Sequence, residues 1–250
     1  GWTLDDTYQE DYFCSRDNQR YFIKKNTTPM IATLSAEGIV PRLRWTKRIS
    51  NGDVLIAQDF EHGRTLEKED MTDKRIPEIL KKVHGSIKLK KIMKAQGYNE
   101  ETAVSSLRNL KSIIADELWK NSNIVDALNY LENCLPDDDV EYTPCHTDLH
   151  KDNWLLSDQG KLFLVDWEHS ILCDPAIDIS FVLYRYIPQS DWNEWLEIYG
   201  QEPTIKYRNR LKWYITLQSM IMIVWYHEKK QLSEMNSWLV FLDSVFNDFI

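Results

Sequence analysis

The sequence predicts an α+β chain in two parts, a small β-rich lobe over residues 1–62 and a large helical lobe over 63–250. Three observations predict it. Strand-forming runs with turn signals fill the first 60 residues. Helical spacing of apolar residues takes over from about Asp70. Between the helical stretches lies a short apolar hairpin, residues 145–168, that carries most of the chain's unusual polar residues.

The elements follow in order. Arg20-Tyr21-Phe22-Ile23-Lys24 alternates like a strand and ends in lysine. Pro29 to Ile39 carries helical signals, proline near the start and Gly38 near the end. Asp53 to Gln58 is a second strand, entered through the turn Ser50-Asn51-Gly52. Gly63 marks a hinge-like break after it. Thr72 precedes a helix through Ile76, Ile79, Leu80 and Val83 to His84, with Gly85 as its stop. Helical periodicity recurs over about 103–134, and the Pro136-Asp137-Asp138-Asp139 turn leads into the hairpin. Segments at about 204–229 and 231–249 close the chain as helices. The apolar run Trp213 to Tyr226 is broken by Gln218 and Ser219 and is too short for a bilayer, so it reads as a buried core helix.

The hairpin carries the chemistry. His146-Thr147-Asp148-Leu149-His150-Lys151-Asp152-Asn153 places an asparagine five positions after an aspartate, and Asp166 ends the strand that follows. That is the spacing of a kinase catalytic loop followed by a metal-binding acid. Phosphoryl transfer asks the protein to position a hydroxyl and neutralise charge. Asp148 is the candidate base. Asn153 and Asp166 are candidate oxygen ligands for Mg²⁺ on the phosphates of ATP. His146 is placed with the catalytic group as the residue that orders the loop. Lys24 is the candidate phosphate lysine, and Glu37 could pair with it. Lys25 is its rival, because neighbouring strand residues face opposite sides. Asp59 and Phe60 stand where backbone groups would meet adenine. Asp178 could cap the next helix or brace the loop by hydrogen bonds. Glu168, His169 and Trp213 are candidate walls of the acceptor pocket. A zinc site built on His146-x-x-x-His150 is the rival reading, and no second Cys/His cluster in the sequence completes it.

Composition narrows the partners. Of 250 residues, 43% are hydrophobic, an ordinary globular balance. A net charge of −9 argues against nucleic acid as the main partner. Cys14, Cys134, Cys145 and Cys173 show no C-x-x-C spacing and read as free buried thiols of a cytoplasmic protein, with no signal peptide and no membrane span. The ten tryptophans read mostly as core of the larger lobe.

The 145–168 segment resembles the aminoglycoside phosphotransferase and choline kinase superfamily, which implies a bilobal, protein-kinase-like fold. Arg20 to Pro29, Leu34 to Pro41, Trp45 to Arg48 and Cys145 to Trp167 look like the CcrZ/YtmP family of Gram-positive bacteria, and the similarity runs to about Trp225. That resemblance implies an ATP-dependent kinase for ribose or 2-deoxyribose, giving the 5-phosphate. It also implies a link to bacterial cell-cycle control, with the division protein FtsZ as partner and recruitment to the division site. It selects Lys24 over Lys25 and makes His146, Asn153 and Asp166 essential, with Asp148 as base. One departure stands out. The family carries a Gly-rich loop before the lysine strand, whereas Gly1 to Glu10 has no such glycines and is acidic. Other readings are a nucleotide-responsive module that binds FtsZ, and a choline or aminoglycoside kinase. A protein kinase fits least, because no A-P-E segment follows Asp166.

Overall fold

A computed structural model describes the backbone of residues 3–8 and 11–247 and the side chains of 12–247. In chain order the elements are β1 (Thr3–Tyr8), β2 (Asp11–Arg16), β3 (Gln19–Lys25), α1 (Ile31–Ala36), β4 (Leu43–Arg48), β5 (Val54–Asp59) and β6 (Gly63–Thr65). Then come α2 (Arg75–His84), α3 (Ile87–Ala95), β7 (Glu100–Glu101), α4 (Ala103–Ile113), α5 (Ser122–Asn133) and β8 (Thr143–Cys145). The chain ends with β9 (Trp154–Ser157), β10 (Leu162–Leu164), β11 (Ile171–Cys173), α6 (Ala176–Tyr186), α7 (Trp192–Tyr199), α8 (Ile205–Glu228) and α9 (Leu232–Asn247). By packing, the chain forms two compact units of three segments each: 1–70, 86–98 and 148–170, and 71–85, 99–147 and 171–250. The sequence boundary at 62/63 divides the chain by order, and these units divide it by contact.

The first unit is built on a five-stranded antiparallel sheet in the order β1-β2-β3-β5-β4. Asp17 and Asn18 both take positive φ, 52° and 61°, in the two-residue turn that joins β2 to β3. Those angles match the twist of a tight hairpin, and short Asx side chains tolerate them. Gly52 takes φ 93° in the expected turn before β5. The expected helix at 29–39 is trimmed to Ile31–Ala36, with Gly38 at φ 74° just past its end. The expected Gly-rich loop position falls partly at 1, 2, 9 and 10, outside the described residues; 3–8 form β1. The helix α3 was not foreseen, because its lysine-rich sequence hides an apolar stripe of only Leu89 and Met93. A second sheet, β10-β9-β6, carries the hairpin. Its Leu164 N–H donates to the Ile39 carbonyl at 2.9 Å, tying it to the end of α1. Gly63 opens β6 opposite Ser157 rather than forming a hinge. A Cβ there would lie 2.2 Å from the Leu156 carbonyl oxygen, so only glycine allows this approach.

The second unit packs helices around α8. That helix is buried around most of its circumference between Arg210 and Val224, as a central helix must be. Among the described residues no helix is long and apolar enough to cross a membrane. Trp213 sits wholly inside, its Nε1 donating to the Leu131 carbonyl at 3.0 Å, so it is core and not the pocket wall expected of it. Buried Arg210 donates to Asp174, Asp139 and the Asp137 carbonyl, which pins the Pro136–Asp139 turn to α8. Cys14, Cys145 and Cys173 are buried free thiols; Cys134, the residue just past the end of α5, is exposed.

One buried carboxylate organises the corner between β8 and α6. Asp178 accepts from the His146 N–H at 2.9 Å, the Thr147 N–H at 2.8 Å and His84 Nε2 at 2.8 Å. His84 Nδ1 meets the Tyr199 hydroxyl at 2.8 Å. Burial opposes ionisation of Asp178, yet the His84 ring, the His146 ring and the Thr147 N–H hold its carboxyl below the usual 3.8. Burial likewise opposes the charge on His84, and its hydrogen bonds to Asp178 and Cys145 reverse that, pushing it up from 6.5 to about 9.

Stability therefore depends on pH in both directions. The Asp178 contribution is present above pH 3.8 and lost as pH falls through its lowered folded value. The His84 contribution is complete below pH 6.5 and lost as pH rises through about 9. Thermal unfolding followed by circular dichroism is expected to give its highest Tm between these limits and a decline from pH 6.5 to 9. The alkaline decline flattens in His84→Gln. Separately, Gly63→Ala is expected to destabilise the chain by roughly 1–3 kcal/mol in urea unfolding, because the backbone must shift to admit a Cβ.

Candidate active site

Strand alternation decides between the two lysines. Lys24 on β3 turns its Nζ to 3.8 Å from Asp166 Oδ1, with a quarter of its side chain exposed. Lys25 turns the other way and pairs with Asp53 at 2.8 Å. Glu37 does not meet Lys24. It lies just past α1, where its Oε1 accepts from Ser86 Oγ at 2.6 Å.

The hairpin supplies the other groups. Leu149 and Trp154 are buried and anchor the loop from both sides. Between them, Lys151–Asn153 makes one 3-10 turn, closed by the Asn153 N–H on the His150 carbonyl at 2.9 Å. The nearly buried Asn153 side chain donates through Nδ2 to the Asp148 carbonyl at 2.6 Å. That bond fixes the amide so that its other atom, Oδ1, is the one available as a ligand. The Asp148 carboxylate is about one-third exposed, 3.3 Å from His150 Nε2. The Val165 N–H donates to the Asn153 carbonyl at 2.9 Å, which sets Asp166 one residue from Asn153's strand partner. Asp166 itself has φ 59° and an exposed carboxylate. A non-glycine residue there is uncommon and is held by its surroundings.

Lys24 and Asp166 line a cavity of about 460 Å³ whose lining lies wholly within the first unit; Asp148 and Asn153 are not part of that lining. Lys24, Asp166 and Glu168 line its polar part; Phe22, Ile31, Val40 and Leu155 supply apolar wall. Asp59 and Phe60 line it as well. Asp59 is held by a two-pronged bond from Arg44, at 2.5 and 2.9 Å, so its carboxylate is committed to the sheet. The Phe60 ring packs on Phe13 and His62 and under the Arg20 guanidinium. Next to them the buried Gln58 donates to the Pro41 carbonyl at 2.8 Å. A planar apolar ligand suits such walls, and a polyanion suits the lysine end.

His146 is fully buried, and its backbone belongs to the Asp178 network rather than to the exposed part of the loop. Thr147 follows with φ 67°, a β-branched residue in the left-handed region. Its N–H lies on Asp178 Oδ1, which is what holds it there. Asp178 thus braces the loop by hydrogen bonds, one of the two roles the sequence left open for it. Sequence reading missed His84. Its only signal was a histidine on the apolar stripe of α2 with Ile76, Leu80 and Val83. His84, Cys145 and Asp178 bring three ligand-type atoms within 4.8 Å of one another. Both ring nitrogens and both carboxylate oxygens already have protein partners, and burial pushes the Cys145 thiol well above its usual range. The cluster therefore works as a hydrogen-bond network and not as a zinc site.

The model of the phosphotransferase enzyme family matches residues 9–214. Protein LicA of Haemophilus influenzae is 32% identical over 105 residues, or 38% of this chain. The match spans 30% and 39% of the length of two such LicA proteins. The structure of choline kinase LicA from Streptococcus pneumoniae superposes with a TM-score of 0.64 at 21% identity, covering 96% of this chain and 92% of that one. A spectinomycin phosphotransferase in complex with ADP and spectinomycin gives 0.69 at 16%, covering 98% and 92%. Wild-type aminoglycoside 2′-phosphotransferase-IIIa in complex with GDP gives 0.69 at 12%, covering 100% and 93%. At these identities the structures establish a common kinase-like fold. The family model, spanning most of the chain and including the 145–168 hairpin, makes this chain a member of the phosphotransferase enzyme family.

Proposed function

We propose that the chain transfers the γ-phosphoryl group of ATP to a hydroxyl of a small molecule. One observation carries the reading: a strand lysine and a carboxylate 3.8 Å apart line a cavity of about 460 Å³, and the same compact unit holds a second, partly exposed carboxylate with a fixed amide on the hairpin. The apolar walls suit adenine, with backbone groups near Asp59 and Phe60 as its polar contacts. Lys24 attracts the phosphates. Asp148 accepts the proton of the attacking hydroxyl and so aligns it. Asn153 Oδ1 and the Asp166 carboxylate are a hard-oxygen pair of the kind Mg²⁺ takes, and they would hold it. The bound ion would supply charge neutralisation and orientation of the phosphates. His146 orders the loop through its backbone, and Glu37 stays outside this set.

For the acceptor we favour a pentose, ribose or 2-deoxyribose, on the resemblance carried by Arg20 to Pro29, Leu34 to Pro41 and Cys145 to Trp167. A second reading, choline or a related amino alcohol, draws support from the LicA likeness. The tie to cell division and FtsZ rests on the same resemblance as the pentose. FtsZ binding that survives in Asp166→Ala would separate that role from phosphotransfer.

The deciding assay is coupled ADP release from Mg²⁺-ATP over a panel of ribose, 2-deoxyribose, choline and kanamycin. Ribose or 2-deoxyribose is expected to stimulate release. Stimulation by choline alone moves the acceptor to the amino alcohols. ADP binding without stimulation by any acceptor overturns the transfer reading. Asp148→Asn is expected to lower turnover by about 10²–10⁴-fold at unchanged Tm. Equal turnover in that variant removes Asp148 from the role of base. Lys24→Ala is expected to raise KM for ATP strongly, and Lys25→Ala to leave it alone; the reverse order would move the phosphate contact to Lys25.

A further inference from the structure

We propose that His84 is a positioning residue for the transfer: its Nε2–H completes the hydrogen-bond shell of Asp178, and through that carboxylate it fixes the backbone of Thr147, the residue before Asp148. The kinetic part of this proposal rests on the phosphotransferase reading; the structural part stands without it.

The donor assignment follows from the partners. An ionised carboxylate can only accept. Asp178 Oδ1 takes the Thr147 N–H at 2.8 Å, and Oδ2 takes the His146 N–H at 2.9 Å together with His84 Nε2 at 2.8 Å. Nε2 therefore carries its hydrogen whether the ring is charged or neutral. The other nitrogen faces the Tyr199 hydroxyl, which can accept from a protonated Nδ1 or donate to a bare one. The ring is held at both ends, and its orientation does not depend on its charge. It is also the last residue of α2, with the Cys145 thiol of β8 beside it, so it has no room to swing away.

The consequence falls on the loop. Thr147 sits at φ 67°, where a β-branched side chain does not rest unless it is held. Without the ring, a fully buried carboxylate keeps only its two backbone donors. Such a group relaxes by rotating or by taking up a proton, and either response loosens the bond to the Thr147 N–H. A base displaced by about 1 Å costs about 10²-fold in rate.

Three variants test it: His84→Leu, with no donor; His84→Asn, a polar side chain too short to reach; and His84→Gln, whose amide can approach the place of Nε2. The first readout is hydrogen–deuterium exchange at the Thr147 amide. About tenfold faster exchange is expected in the leucine and asparagine variants, the equivalent of one buried hydrogen bond, and near-native exchange in glutamine. The second is steady-state kinetics with the acceptor that is turned over. A fall of about 10²-fold in kcat at unchanged KM for ATP is expected in leucine and asparagine, largely rescued by glutamine. If the leucine variant does not fold, the asparagine and glutamine pair carries the comparison. Equal exchange in those two, or native exchange and kcat in a folded leucine variant, overturns the proposal. Should the wild type turn over no acceptor, the phosphotransferase reading falls and exchange alone decides for His84.

Discussion

The structure depends first on the ionised side chain of Asp178. A carboxylate taken out of water costs several kcal/mol unless donors replace the lost solvent. Here three donors do so, two of them consecutive backbone N–H groups of the loop. The arrangement turns an expensive burial into a geometric constraint, because residues 146 and 147 present both of their N–H groups to the charge. The constraint acts where the chain passes from one compact unit into the other, immediately before Asp148. On the proposed function, a structural role and a catalytic consequence would share one residue, without Asp178 touching a substrate.

The second carboxylate of the site is set by similar means in the first unit. Asp166 at φ 59° and Thr147 at φ 67° are both non-glycine residues in the left-handed region, and one lies on either side of Asp148 and Asn153 in sequence. Strain of this kind costs on the order of 1–3 kcal/mol per residue and survives only where neighbours over-determine it. For Thr147 the neighbour is Asp178. For Asp166 it is the backbone: Val165 N–H on Asn153, Leu164 N–H on Ile39, and the Trp167 indole returning to the Leu164 carbonyl at 2.8 Å. These bonds fix the backbone on both sides of Asp166, just past β10.

How much of this was legible in the sequence differs by residue, and for physical reasons. Asp148, Asn153 and Asp166 needed only local geometry to be proposed, five residues of separation and a short hairpin. The sequence suggested one strand before Asp166 where two, β9 and β10, stand. The choice of Lys24 over Lys25 was half legible: alternation said that only one could face inward, and the register of β3 with β5 was needed to say which. The expected Glu37–Lys24 pair assumed a longer first helix; α1 stops at Ala36 and Glu37 turns to Ser86 instead. Trp213 was misjudged as pocket wall because a tryptophan's size says nothing of which face of α8 it occupies. His84 was invisible because its partner lies 94 residues away, and a lone histidine on an apolar stripe more often fills core than serves a loop.

The strengths of the two ion pairs at the cavity follow the same logic. Arg44 and Asp59 form a two-pronged pair with short bonds, and the Asp59 hydrogen bond raises the Arg44 pKa despite some loss of hydration. That pair closes the end of β5 and engages both Asp59 carboxylate oxygens. Lys24 and Asp166 meet at 3.8 Å with half of the Asp166 side chain in water. A pair so long and so exposed contributes little, about 0–1 kcal/mol. Weakness suits these two residues. On the proposed function, a phosphate entering the cavity would take Lys24 at little cost and leave Asp166 to face a cation. On that reading a tighter Lys24–Asp166 pair would have to be broken before each cycle, whereas the Arg44–Asp59 pair can stay closed throughout.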